Sequence, residues 1–174
     1  KYRQDIVASK YKGLQGLVKM RGINVIEGEG KLVAPNTVQV GEDTIVGKNV
    51  ILATGSYSRS LPGLEIGGRV ITSEQALELD FVPKKVAVLG GGVIGVERAF
   101  RRRGINFHTG VRFKSVEQND DGVVVTLENG ETIEAELLLV AVGRGPSTAG
   151  LGFEEVGIEM DRGFVLTNER LATN

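Results

Sequence analysis

Residues Lys85 to Glu97 constrain this chain more than any other stretch. A short apolar run, Val86 to Leu89, passes without a break into glycines at 90, 92 and 95. Four consecutive apolar residues suit a parallel strand covered on both faces. The spacing G-x-G-x-x-G directly after such a strand gives each glycine a task. Gly90 permits the tight turn, Gly92 lets the backbone approach a pyrophosphate, and Gly95 lets the following helix pack on the strand. Amides at that helix N-terminus then hold phosphate charge. The segment reads as a dinucleotide site. Its expected partner, an acidic residue about 20 positions on that binds a ribose hydroxyl, is missing. The next strand-like segment, Ile105 to Val111, leads instead to Arg112, Phe113 and Lys114.

Composition narrows the remaining classes. The 174 residues carry 21 Lys plus Arg against 22 Asp plus Glu, a near-neutral balance that gives no electrostatic footprint for nucleic acid. The longest apolar runs, Val86 to Leu89 and Leu137 to Val142, are far too short to span a bilayer, and no secretory signal opens the chain. No nucleic acid and no membrane are therefore expected as partners. Cysteine is absent, which removes disulfides, thiolate metal sites and cysteine nucleophiles from these residues. The single histidine, His108, sits in a strand-like segment and is assigned no role, so neither catalytic nor metal-ligating residues are expected.

Along the chain, Val7, Tyr11, Leu14 and Val18 recur at helical spacing with Gly22 placed as a stop. The apolar stripe is expected to face a core. Ile23 to Glu27, Lys31 to Ala34, Thr37 to Val40 and Thr44 to Val46 read as short strands of an antiparallel sheet. Lys48 to Ala53 has the form of a central strand that ends at a ligand through Thr54, Gly55 and Ser56. Ser73 can cap a helix over Glu74 to Leu79, and Pro83 closes a linker, which places a boundary near residue 80. Val93 to Arg103 can form the helix after the fingerprint. Val123 to Thr126 and Glu131 to Glu134 flank Asn129-Gly130, a hairpin signal. Leu137 to Gly143 reads as a buried strand, Arg144 to Pro146 as a turn, and 151 to 174 as short strand-like pieces.

Three motifs now stand in fixed order: the strand ending at Ala53, Thr54, Gly55 and Ser56; the run Gly90 to Glu97; and Leu139 to Pro146. Together they resemble the two-dinucleotide flavoprotein disulfide reductases, the pyridine nucleotide-disulfide oxidoreductase family. Within it, residues 60–64, 72–77 and 161–164 are similar to bacterial dihydrolipoyl dehydrogenases. The resemblance implies an α/β fold with two Rossmann-like dinucleotide-binding domains, for FAD and NAD, both incomplete in this chain. Residues 1–80 would form part of the FAD domain, 81–148 part of the NAD domain, and 149–174 the return to the FAD domain.

By the same resemblance, Thr54, Gly55 and Ser56 contact FAD and Gly30 approaches its adenosine. Gly90, Gly91, Gly92, Val93, Ile94, Gly95, Val96 and Glu97 line NAD, while Phe113 and Gly143 lie near the nicotinamide dinucleotide. The implied activity is oxidation of a protein-bound dihydrolipoyl group, with electrons passing through a disulfide and FAD to NAD. The implied partner is the lipoyl domain of a 2-oxoacid dehydrogenase complex, and the implied state a cytoplasmic homodimer.

Departures from the family pattern bound what carries over. The redox cysteine pair and the FAD glycine fingerprint should precede Lys1, and the acid-base pair should follow Asn174. Internally, Glu97 runs straight into residues that in the family belong to a later helix and strand. The expectation is a sequence with segments omitted, the competitor a true internal deletion. Two further function classes stay open: another pyridine nucleotide-disulfide reductase such as a mercuric reductase, and a catalytically dead nucleotide-binding fragment. A purely structural α/β module would require the fingerprint glycines to be coincidental.

Overall fold

The computed structural model describes residues 2–90 and 105–174, and the chain divides into two compact units. One comprises Lys1–Leu52 with Thr148–Asn174, the other Ala53–Ser147. The helix expected at Val93 to Arg103, and the fingerprint positions from Gly91 to Glu97, lie outside the described residues.

The first unit begins with helix α1 (Tyr2–Met20), which has Asp5 in its first turn and Lys19 in its last. Both charges oppose the helix dipole favourably. Gly22 ends it as expected: its N–H donates to Lys19 O at 3.1 Å and the Ile23 N–H to Val18 O at 3.1 Å, the paired bonds of a Schellman stop. The expected core face is not realised. No residue of α1 is buried, and Val7, Tyr11 and Leu14 are exposed, because no other described element packs on the stripe.

Three antiparallel strands follow in the order β1 (Gly30–Ala34), β2 (Thr37–Val40) and β3 (Asp43–Val46). The expected strand at Ile23 to Glu27 does not form; an isolated β-prone run has no hydrogen-bonded neighbour to hold it extended. Leu32 of β1 is buried, and its N–H donates to Leu151 O at 2.8 Å, which ties residues 148–174 to the first sheet. Buried Phe153 belongs to the same unit. Two-residue strands β12 (Met160–Asp161) and β13 (Phe164–Val165) close this segment as a small antiparallel pair.

The second unit holds three pieces of sheet. Strands β5 (Val70–Ile71), β10 (Leu137–Val140) and β6 (Val86–Leu89) form a parallel sheet in the order β5-β10-β6. Strands β7 (Phe113–Gln118), β8 (Val123–Leu127) and β9 (Thr132–Ala135) form an antiparallel sheet. Strands β4 (Ser56–Ser58) and β11 (Arg144–Pro146) pair as a two-stranded antiparallel ribbon. A short helix, α2 (Ser73–Glu78), follows β5.

One apolar cluster joins the parallel and antiparallel sheets: Val70 and Leu138 with Val140 from the first, Val123, Val125, Leu127 and Ala135 from the second, and Leu64 from the connecting loop. The period-2 burial of Val123, Val125 and Leu127 is the alternation expected of a half-buried strand. Leu138, 1% exposed, is the centre of this core, and burying such a side chain contributes roughly 1.5–3 kcal/mol.

Arg69 holds the two sheets together by main-chain contacts. Its guanidinium donates to the carbonyls of Asn119 (3.1 Å), Glu136 (3.2 Å) and Asp120. The β8–β9 hairpin forms where Asn129-Gly130 predicts it, through a three-residue loop in which the Gly130 N–H donates to Leu127 O at 3.0 Å and the Leu127 N–H to Glu131 O at 2.9 Å.

Several expected strands differ. Lys48 to Ala53 pairs with nothing among the described residues and leaves Ile51 88% exposed, so the paired strand starts only at Ser56. Ile105 to Val111 is likewise not a strand. Among the described residues strand β6 lies at the sheet edge, with Val86 39% and Val88 57% exposed. Arg144 to Pro146 is a strand rather than a turn, because β4 supplies its partner. The α2 cap is Thr72 instead of Ser73, with the Gln75 side chain accepting from the Thr72 N–H at 2.9 Å.

Candidate functional site

The carboxyl ends of β6 and β10 lie side by side, with Leu137 to Val140 in register with Val86 to Leu89. Ligands in open α/β sheets bind outside these ends. The pairing continues one step beyond the strands, where the Ala141 N–H donates to Leu89 O at 2.8 Å. That contact brings Gly90 against the β10–β11 connection. A Cβ at Gly90 would run into the Ala141 carbonyl, and its φ of 118° adds a conformation that side chains rarely adopt. Gly90 is therefore demanded by packing as well as by any ligand.

Gly143 has a similar φ, 120°, in opposite surroundings: nothing stands within 4 Å of the position of its missing Cβ. The backbone there is bare toward open space. Gly55 is equally open. Both places would admit a flat cofactor that a side chain would obstruct.

The ribbon joins these glycines. Ser56 pairs with Pro146, Tyr57 with Gly145 and Ser58 with Arg144. One step beyond at each end, the Ser147 N–H donates to Gly55 O at 3.1 Å and the Arg59 N–H to Gly143 O at 3.0 Å. Ser56 and Gly143 thus sit at opposite ends of one ladder, about 10 Å apart at 3.3 Å per residue.

A polar cluster clamps this ladder. Arg144 Nε donates to Ser56 Oγ at 2.7 Å and Nη2 to the Ser56 carbonyl at 2.5 Å. Its Nη1 donates to Glu74 Oε1 at 2.6 Å and to Ser58 Oγ at 3.3 Å. Ser58 Oγ in turn donates to Glu74 Oε2 at 2.8 Å. The Arg144 guanidinium, with help from the Ser58 hydroxyl, holds the Glu74 carboxyl far below the usual carboxylate range. Elsewhere in the unit, the Asn129 amide and His108 together lower the Glu131 carboxyl.

Of the expected site residues, the structure brings Gly90, Gly143, Gly55, Thr54 and Ser56 onto connected backbone of one unit. Phe113 opens β7, where it packs against the core cluster. Gly30 opens β1 in the other unit. Arg144, Glu74 and Ser58 were not among the expected site residues. They lie up to 86 positions apart, and although Arg144 and Glu74 fall inside motifs read from the sequence, no pattern linked the three.

Among the described residues no cluster of His, Cys, Asp or Glu is suited to hold a metal, and no helix is long and apolar enough to cross a membrane.

In comparison with known proteins, the family model described as pyridine nucleotide-disulphide oxidoreductase matches residues 2–101 and 97–174. A dihydrolipoamide dehydrogenase of Chaetomium thermophilum is 36% identical over 220 residues, covering 99% of this chain and 44% of that protein. A dihydrolipoyl dehydrogenase of Bacillus subtilis is 35% identical over 216 residues, covering 99% and 46%. The crystal structure of LpdA from Mycobacterium tuberculosis superposes with a TM-score of 0.77 at 26% identity, covering 95% of this chain and 46% of that one. The HOCl-induced flavoprotein disulfide reductase RclA of Escherichia coli, at 23% identity and a TM-score of 0.80, shares the fold.

The chain spans less than half the length of these relatives. An alignment over 220 residues also exceeds the 174 residues of the chain, so the relative carries extra positions inside the matched region. The family match runs to 101 and resumes at 97, which puts that step close behind the glycine fingerprint. With its parallel strands β6 and β10 leading into the connections that hold Gly90 and Gly143, and with its sequence matched almost throughout by the family model, this chain belongs to the pyridine nucleotide-disulphide oxidoreductase family.

Proposed function

We propose that the protein acts as a flavoprotein of the dihydrolipoyl dehydrogenase type, and that these residues supply parts of its FAD and NAD sites. The observation that carries the reading is 36% identity with a dihydrolipoamide dehydrogenase across 99% of the chain. The open backbone at Gly55 and Gly143 supports it, since both fit a nucleotide approached without side chains. In this reading Thr54, Gly55 and Ser56 contact FAD, and Gly30 meets its adenosine. Gly90 to Glu97 hold the NAD pyrophosphate, with Gly143 and Phe113 toward the nicotinamide end. The domain parts are 1–80 and 149–174 for FAD and 81–148 for NAD.

FAD and NAD, when bound, supply the electron and hydride transfer. The chain's own residues bind and orient. Gly90 keeps the β6 turn tight enough to reach the β10 connection, and the bare peptide at Gly143 lets a ring lie against the main chain. The 174 residues contain no cysteine, so the disulfide that would accept electrons from a dihydrolipoyl group is not among them. The partner is the lipoyl domain of a 2-oxoacid dehydrogenase complex, and the working form a cytoplasmic homodimer.

A second reading is a nucleotide-binding chain without turnover, to which the 174 residues, holding no cysteine, are also suited. One preparation separates the two. A denatured mass well above 18.6 kDa together with dihydrolipoamide-dependent reduction of NAD supports the enzyme. A mass of 18.6 kDa, NAD binding that Gly92→Val abolishes, and no turnover support the second reading. Failure to bind either dinucleotide overturns both.

A further inference from the structure

The chain places an arginine and a glutamate, 70 positions apart, in contact at the one ladder that links the two groups of glycines. Surface ion pairs contribute little on their own, and both side chains here are about half exposed, Arg144 at 47% and Glu74 at 52%. This pair differs in its connections. The guanidinium makes four hydrogen bonds at once, two to Ser56, one to Ser58 and one to Glu74. Glu74 stands in the first turn of α2, directly after β5, so the cluster ties the ribbon to the parallel sheet through β5 and α2. One end of β4, at Ser56, is thereby held by the Arg144 side chain of its ladder partner, and the other, at Ser58, by Glu74 of α2.

We propose that Arg144 and Glu74 are positioning residues for the dinucleotide site: by clamping Ser56 and Ser58 they fix the β4–β11 ribbon and, with it, the bare peptides at Gly55 and Gly143. This rests on the cofactor reading above. Neither residue touches the reacting atoms in this role. The guanidinium is committed to the protein's own oxygens, and its effect passes through the main chain. The Ser56 carbonyl and hydroxyl are held from one side, and Gly143, adjacent in sequence to Arg144, is held through the Arg59 N–H on the other. Arginine suits the task because its planar fork satisfies several acceptors in one geometry, which lysine cannot.

The test uses the full chain with Arg144→Gln, Arg144→Lys and Glu74→Gln, read by amide exchange and by NAD titration. The expected result for Arg144→Gln is exchange about ten-fold or more faster at the Arg59 and Ser147 amides, with unchanged protection at Val116 and Val125, and NAD affinity reduced about ten-fold, a change equivalent to 1.4 kcal/mol. Arg144→Lys, which keeps the charge beside Glu74 and loses the fork on Ser56, should fall between wild type and Arg144→Gln. Glu74→Gln should loosen the same two amides to a smaller degree.

Uniform loosening of Val116 and Val125 along with the ribbon would mean a general structural role and would overturn the proposal. So would a ribbon that loosens while NAD affinity stays unchanged. A wild-type chain that takes up no NAD brings down the cofactor reading, and the positioning role with it. That case is distinct from failure of the positioning role alone, in which the wild type binds and the variants bind equally well.

Discussion

Gly90 and Gly143 have nearly equal φ, 118° and 120°, and opposite surroundings, which makes them a controlled pair. Replacing either by alanine forces a side chain into a sparsely populated backbone region, at about 1–3 kcal/mol. That cost is common to both and largely cancels in the comparison. At Gly143 nothing lies within 4 Å of the new methyl, so strain is the whole effect. At Gly90 the methyl collides with the Ala141 carbonyl, a backbone group fixed by the adjacent Ala141 N–H bond to Leu89 O at 2.8 Å. Overpacking of this kind adds about 1–3 kcal/mol.

Gly90→Ala should therefore destabilise the second unit by about 2 kcal/mol more than Gly143→Ala, taking the middle of that overpacking range. The assay is native-state exchange at the Leu138 amide, which donates to Arg69 O at 2.9 Å in the centre of the parallel sheet. The difference corresponds to exchange about thirty-fold faster in Gly90→Ala than in Gly143→Ala. Equal exchange in the two variants would refute the argument, for it would show that the β6 turn and the β10 connection move apart freely. The pair also separates two meanings of a glycine at a nucleotide site, one required by the fold and one required by the ligand.

Three further outcomes follow from the same geometry. Leu138→Ala empties the position shared by both sheets and should cost about 3 kcal/mol or more, read as a lowered denaturation midpoint at unchanged m-value. Arg69→Met removes donors from three carbonyls that join the β7–β8 turn to the start of β10, and should cost about 2 kcal/mol by the same measurement. For pH, Glu74 is depressed in the folded chain, so its contribution is fully present above the ordinary carboxylate range and is lost as pH falls below it. Protection of the Arg59 and Ser147 amides should hold constant from neutral pH to pH ~5, above the reference carboxylate value, and decline only in stronger acid. Glu74→Gln should remove that acid dependence, and wild-type protection already declining between pH ~7 and ~5 would contradict the assignment.

Local signals carried most of what was legible in the sequence. Asn129-Gly130 between β-prone runs gave the β8–β9 hairpin, Gly22 gave the end of α1, and the run Leu137 to Gly143 gave the buried strand, which stops at Val140. The family resemblance, carried by three motifs in order, gave the fold class. What failed was everything that depends on a distant neighbour. The apolar stripe of α1 was expected to be buried, yet burial needs a partner surface, and periodicity in one segment does not reveal that none of the described elements supplies it. Lys48 to Ala53 has strand composition and no ladder to join among the described residues. Arg144 to Pro146 has turn composition and a ladder available, so it became a strand. The Arg144–Glu74 contact was not legible because the two residues sit in separate motifs 70 positions apart, and only the placing of α2 after β5 beside the β4–β11 ribbon brings them together.

The same ribbon has a consequence for how this polypeptide can be cut and rejoined. The segment Ala53–Ser147 begins just before β4 and ends just after β11, and the Ser147 N–H reaches Gly55 O at 3.1 Å. Its two termini are therefore neighbours on adjacent strands, about 5 Å apart at the Ser56–Pro146 pair. A segment with that property behaves like a cassette. A linker of two or three residues would bridge its ends in a circular permutant. New termini would then fall best in the exposed Glu128 to Gly130 loop, where a break leaves the shared core intact.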